Sequence, residues 1–233
     1  MWNRPINFAS DAHPRMTRRA LIVGLMGAGA MSGISSSVSA SVRPRLLRYR
    51  ATHSVFGNIG TYSNNIDEQG STTIVRTQIH LLVSVLGAVL HREDADRSER
   101  WNGNRLVAFH GVTTANSQAS EIWGEARSDG FAVTSAQETI VAPANVCPSN
   151  PWSAGFLNAD TMMRTDSGTV ERVRISPPMS AAVMISDATI QTREYDITAA
   201  PSYKVWLDES DVPVMFAVND KSGLVSFILT EQT

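Results

Sequence analysis

An all-β fold is what this sequence predicts: an antiparallel meander of about ten strands, curled into a barrel or curved half-barrel. Three observations predict it. Apolar and polar residues alternate with a period of two along most of the chain. Turn-forming pairs separate the alternating runs, and helical periodicity is nearly absent between them. A sheet of that size must close, curl or split into two layers to manage its edges. A barrel or half-barrel is the leading expectation and a sandwich the alternative.

Leu47, Tyr49, Ala51, His53 and Val55 alternate with Arg48, Arg50, Thr52 and Ser54, the mark of a strand with one wet face. Gly57 and Gly60 allow a tight connection to a second run at Thr61-Tyr62-Ser63-Asn64. A β-branched stretch from Thr72 to Leu90 reads as one long strand. Val75, Thr77, Ile79, Leu81, Val83 and Val85 line one of its faces, and Arg76, Gln78 and His80 the other. The charged run His91 to Arg100 reads as its solvated end, since four basic side chains and the lack of glycine argue against a calcium loop. Shorter strands follow at Arg105–Val112, Glu121–Ala126 and Phe131–Val133, the last after the turn Asp129-Gly130. After a loop from Pro143 to Pro151, Phe156 to Met163 is expected to form one short helix that plugs or lids the structure. Val170–Ile175, Ala188–Ile197, Tyr203–Leu207, Val214–Val218 and Leu224–Leu229 complete the meander. Turn chemistry at Asn102-Gly103, Asp166-Ser167-Gly168, Glu209-Ser210-Asp211 and Lys221-Ser222-Gly223 separates them.

The first 40 residues are expected to be a signal peptide, helical where ordered, and residues 41–233 a single β-domain. Arg18-Arg19 precedes an uncharged, weakly apolar segment that ends in Val38-Ser39-Ala40, a small-residue cleavage site. That combination reads as a twin-arginine export signal, although a general secretory signal also tolerates two arginines. Met16 directly precedes the pair and is an alternative start. Four glycines between Ala20 and Ile34 weaken this segment as a membrane-spanning helix, so no stable anchor is expected after cleavage. The expected partners during export are the twin-arginine translocase and signal peptidase, and the expected location is periplasmic or secreted.

The same glycines imitate a dinucleotide-binding turn at Ala20 to Gly29. That motif needs a following helix and an acid about 20 positions on. The next acidic residue is Asp67, and serines stand where the helix belongs. No cofactor fingerprint is left. Removing the signal takes away four arginines and one aspartate, so 20 basic and 22 acidic residues become 16 and 21, a net charge of −5. Such a surface is a poor match to a phosphate backbone, and nucleic acid is excluded as an expected partner. Cys147 is the only cysteine. It has no cation or base beside it to activate it, so it reads as a small buried hydrophobe.

His53, His80, His91 and His110 lack metal-ligand spacing, and no metal site is expected. His53 and His110 lie within strands and would share a barrel lumen. Trp101, Trp123, Trp152 and Trp206 stand near strand ends or in the Pro-rich loop. There they either fill the core or line the mouth for an apolar ligand with one polar end. With His53, His110 and Glu99 they are the candidate ligand-binding residues, and Val75, Ile79, Leu81, Phe109 and Trp123 the candidate lumen. The enzymatic alternative is an envelope hydrolase, which needs two or more of His53, His110, Glu99, Glu121 and Asp208 to converge in a cleft. A third reading is an accessory module that pairs through a sheet edge.

Tyr49-x-x-x-His53-x-x-Phe56-Gly57-x-Ile59-Gly60-Thr61-Tyr62 and Glu99-x-Trp101-x-Gly103-x-x-Leu106-Val107 stand in one order with Pro151-Trp152, Asp166-Ser167-Gly168 and Trp206-Leu207-Asp208. On these motifs the chain resembles an uncharacterised family of exported bacterial β-proteins, a domain of unknown function. The resemblance implies export and an all-β fold. By fold analogy alone it suggests the curved half-barrels of periplasmic lipid carriers.

Overall fold

The computed structural model describes residues 44–185, 187–220 and 222–233. The expected signal segment, with Met16, Arg18, Arg19 and Ala40, lies outside the described residues.

Eight consecutive antiparallel strands come first: β1 (Arg45–His53), β2 (Gly57–Gln69), β3 (Thr72–Val85), β4 (Ala88–Asn102), β5 (Arg105–Ala115), β6 (Gln118–Arg127), β7 (Gly130–Thr134) and β8 (Thr139–Ala142). The chain then leaves the sheet for β9 (Cys147–Pro148), a single turn of 3-10 helix at Ala154–Asn158, β10 (Thr161–Met163) and β11 (Val170–Arg172). It returns through β12 (Arg174–Ile175), β13 (Met179–Ile185), β14 (Ala188–Thr198), β15 (Tyr203–Leu207), β16 (Pro213–Asp220) and β17 (Gly223–Gln232).

The main sheet holds 14 strands in the order β12-β14-β15-β16-β17-β1-β2-β3-β4-β5-β6-β7-β8, with β13 also paired to β14. Every neighbour on this path is a sequence neighbour except at two places. Both β12 and β13 lie against β14, and β17 pairs with β1, so the ends of the domain meet inside the sheet. Among the described residues β8 does not pair with β12 or β13, so the sheet is open rather than a sealed barrel. The expected antiparallel meander is therefore present as a curved, open sheet, and not as a sandwich of two such layers.

The inner face follows from the period of two. Leu47, Tyr49 and Ala51 on β1, Tyr62, Asn64 and Ile66 on β2, and Val75, Thr77 and Ile79 on β3 are all buried. The segment between β8 and β12 covers this face and forms a separate three-stranded sheet, β11-β10-β9, whose β9–β10 pair is parallel. Val146, Asn150, Phe156, Met162 and Met163 enter the core from it. Full burial of side chains such as Tyr49, Phe109 and Phe131 contributes about 1.5–3 kcal/mol each.

Four expectations need correcting. Thr72 to Leu90 is two strands, because Leu86 and Gly87 turn the chain with φ of 51° and 85°. The run His91 to Arg100 is the body of β4 and not a solvated end: Ala95, Arg97 and Glu99 point inward and are buried. The helix expected over Phe156 to Met163 is the one turn at Ala154–Asn158, followed by β10, with Phe156 anchored in the core. The strand count is also higher than ten, because β4, β8 and β13 are strands of their own, the plug contributes the short β9 and β10, and the run expected over 170–175 divides into β11 and β12.

Candidate functional site

The inner face of the sheet and the covering segment do not meet everywhere. Between them lies a cavity of about 610 Å³, within the range of small-molecule sites. Its apolar walls come from several strands at once. Ile59 and Tyr62 of β2, and Ile79, Leu81 and Val83 of β3, face Phe216 of β16, Val225 and Phe227 of β17, and Met162 of β10. The aromatic part is ordered by edge contacts: Tyr62 lies 5.1 Å from Phe216 and 5.5 Å from Phe227, and those two phenylalanines stack at 4.5 Å. Such pairs favour this geometry through their quadrupoles and stiffen the wall.

Polar groups sit along part of the lining. Arg164 and Asp166 form a two-pronged pair, with Nε to Oδ1 at 3.0 Å and Nη2 to Oδ2 at 2.5 Å. Burial alone would raise the Asp166 carboxyl, but the Arg164 hydrogen bonds and charge hold it below the usual carboxylate range. Arg97 lies 3.9 Å from Glu93 and donates from Nη2 to Thr113 Oγ1 at 3.3 Å. His53 accepts the Val55 N–H at Nδ1 and sits 3.1 Å from Ser222 Oγ through Nε2.

Beneath the cavity, Tyr62 leads into a buried polar network. Its hydroxyl donates to Asn150 Oδ1 at 2.5 Å, and Asn64 Nδ2 donates to the same oxygen at 3.2 Å. Asn150 Nδ2 then donates to Thr77 Oγ1 at 3.0 Å and to Glu99 Oε1 at 2.7 Å. All four hydrogen bonds of that carboxamide are made, which is what a buried amide needs. Glu99 Oε2 accepts from the indoles of Trp101 at 2.9 Å and Trp152 at 3.0 Å. Burial pushes the Glu99 carboxyl up to about 6, against the pull of these three donors and of Arg97. The network ties β2, β3 and β4 to the covering segment.

The expected site residues are dispersed by this arrangement. His53 lines the cavity, but His110 lies on the outer face of the sheet, so the two do not share a lumen. His110 stacks on Trp123 at 3.7 Å and pairs with Glu121 at 3.0 Å in the open. Trp123 is 53% exposed and lines nothing on the inner side, because β6 turns its odd-numbered residues outward. Trp101, Trp152 and Glu99 meet in the buried network rather than at a mouth. Trp206 donates to Glu194 at 3.0 Å elsewhere in the core. Of the candidate lumen, Ile79 and Leu81 line the cavity, while Val75 and Phe109 are packed in the core. Asp208 caps its own turn by accepting the Ser210 and Val212 N–H groups, so His53, Glu99 and Asp208 occupy three separate environments. Cys147 is only partly buried, and burial pushes its thiol up. Among the described residues no cluster of three or more His, Cys, Asp or Glu is placed to hold a metal ion. Nor is any helix among them long and apolar enough to cross a membrane.

Arg97, Tyr62, Asn150, Arg164 and the two stacked phenylalanines were not foreseen as site residues. One signal was available for Arg97. It alternates with Ala95, Glu99 and Trp101, so any strand that turns Trp101 inward turns Arg97 inward too.

A family model for a domain of unknown function, DUF6134, matches residues 57–230, which run from β2 almost to the end of β17. No curated protein matches the chain. Among solved structures, the chain is similar to a crystal structure of a beta-barrel-like protein of a domain of unknown function, DUF1849, from Brucella abortus. The TM-score is 0.58 at 8% identity, over 82% of this chain and 97% of that one. At that identity the likeness carries the fold alone.

Proposed function

The chain belongs to the DUF6134 family, a domain of unknown function, and from that premise we propose that it is an exported binding or carrier protein for a small hydrophobic ligand. The observation that carries this is the apolar cavity of about 610 Å³ under the curved sheet. A core packed to ordinary density has few voids larger than a water molecule. A cavity of this size, walled by aromatic and aliphatic side chains with polar groups along one part, has the make-up of a ligand site. The export part of the proposal rests on Arg18-Arg19 and the uncharged run to Ala40.

Mass spectrometry of gently purified protein under native conditions tests the binding. The expected result is a co-purifying apolar small molecule, displaced by a neutral naphthylamine probe whose fluorescence rises on entry. Ile79→Trp would fill the wall and abolish both signals while the chain still melts cooperatively. A wild-type protein that carries nothing and takes up no apolar probe overturns the proposal. For export, replacing Arg18-Arg19 with Lys-Lys should leave precursor in the cytoplasm, and undiminished export would argue for the general secretory route.

A further inference from the structure

Arg97 is the most demanding group in the cavity lining. Its side chain is 6% exposed, it lines the cavity, and its stem lies over Gly111, its cross-strand partner on β5. A Cβ at that glycine would come 3.3 Å from Arg97 Cγ. A buried guanidinium needs a carboxylate or several acceptors to offset its lost hydration. Arg97 has neither in full. Its Nε finds no acceptor among the described residues, and Thr113 takes one N–H at 3.3 Å.

The acids around it are occupied otherwise. Glu93 stands 3.9 Å away, beyond hydrogen-bond length, and also faces His91 at 3.6 Å. Asp166 is held by both prongs of Arg164, and Glu171 accepts the Ala200 N–H at 2.9 Å. Both oxygens of Glu99 already accept, from Asn150, Trp101 and Trp152. A planar fork with spare donors, set beside an apolar cavity, suits a carboxylate.

We propose that the ligand is an amphiphile with a carboxylate head, docked on the Arg97 guanidinium with its apolar tail along the wall formed by Ile79, Phe216 and Phe227. This rests on the binding reading above and adds the chemistry of the polar end. Arg97 sets specificity, and the aromatic wall supplies affinity for the tail.

A matched pair of ligands, dodecanoate and dodecanol, separates the two claims by calorimetry on the mature protein. Wild type is expected to bind dodecanoate about tenfold or more tighter than dodecanol, the range of a charge-assisted hydrogen bond. Arg97→Met should reduce that ratio to near one while dodecanol still binds, which also shows that the variant is folded. Arg97→Lys should keep part of the preference, since it retains the charge without the fork. Glu93→Gln removes the nearest competing carboxylate and should increase the preference, a check that holds even if Arg97→Met does not fold. If neither ligand binds wild type, the binding reading itself fails. If both bind wild type equally, or the preference survives Arg97→Met, or Glu93→Gln leaves it unchanged, the carboxylate assignment is overturned and the binding reading stands.

Discussion

Glu99 shows how one residue couples the site to solution conditions. Its carboxyl is buried and titrates near 6 in the folded protein, above the ordinary value of 4.5, with burial as the main cause. Because the folded state holds the proton more tightly, this group's contribution to stability is fully present below about pH 4.5. It is lost as pH rises through about 6. A shift of that size corresponds to about 2 kcal/mol, or roughly 4–8 °C in melting temperature for a domain of this size. Asp166 works in the opposite direction, since its lowered carboxyl contributes above its unfolded value and loses that contribution in acid. The stability margin of wild type over Glu99→Gln should shrink by about 2 kcal/mol between pH 4.5 and pH 7, measured by thermal melts across that range. A margin independent of pH would remove Glu99 as a titrating group. Glu99, Trp101 and Trp152 were legible in the sequence as residues of interest, but their common role was not. Both indoles meet on the Glu99 carboxylate, which is held from its other oxygen by Asn150, 51 positions away, and an asparagine in a Pro-rich loop gives no sign that all four of its hydrogen bonds are buried.

The hairpin of β3 and β4 carries the clearest misreading among the elements, and its cause is physical. A two-residue hairpin turn with positive φ at both positions normally advertises itself with Asn-Gly or Asp-Gly. Here Leu86 occupies the first position at φ 51° and is fully exposed, so the sequence runs on as if the strand continued. Leucine is poorly suited to the left-handed region, whereas asparagine tolerates it. Leu86→Asn should stabilise the domain by about 1 kcal/mol, a rise of roughly 2–4 °C in melting temperature, and should remove an exposed apolar tip. An unchanged or lower melting temperature would mean that Leu86 has a packing role. Of the two glycines expected in the β1–β2 connection, Gly57 opens β2 while Gly60 lies inside it, paired with both Ala51 and Leu81, and the two differ in kind. A Cβ at Gly57 would meet nothing within 4 Å, whereas one at Gly60 would lie 1.9 Å from the His80 carbonyl oxygen. Gly57→Ala should thus cost about 1 kcal/mol for its positive φ, while Gly60→Ala should break the β2–β3 ladder and leave little soluble protein. Comparable yields of the two variants would contradict that distinction.

For the whole molecule, the meander was legible because most of its pairings are local. Each strand from β1 to β8 and from β14 to β17 lies beside its sequence neighbour, joined by turns whose residues, the Leu86-Gly87 turn apart, announce them. The one pairing that makes a single sheet of the two halves was not legible. β17 joins β1 through contacts such as Thr52 Oγ1 donating to Ser226 O, a separation of 174 residues, and Leu46 and Thr233 exchange backbone hydrogen bonds at 3.1 and 3.2 Å. Period-two alternation says which side of such strands is apolar, but not which strand is the partner. That long-range pairing also places a structural burden on the last strand. β17 covers both β1 and β16, and it brings Phe227 and Val225 to the cavity wall. Without it, two interior strands become bare edges and the apolar wall is left open to water, the condition under which sheets associate. Deleting residues 223–233 should therefore send the chain to the insoluble fraction and abolish probe binding, although the deleted strand is the last in the chain and not an edge. A soluble, cooperatively melting truncated protein would show that the β1–β8 half folds independently of its pairing to β17. It would also move the cavity's stability onto the network centred on Asn150.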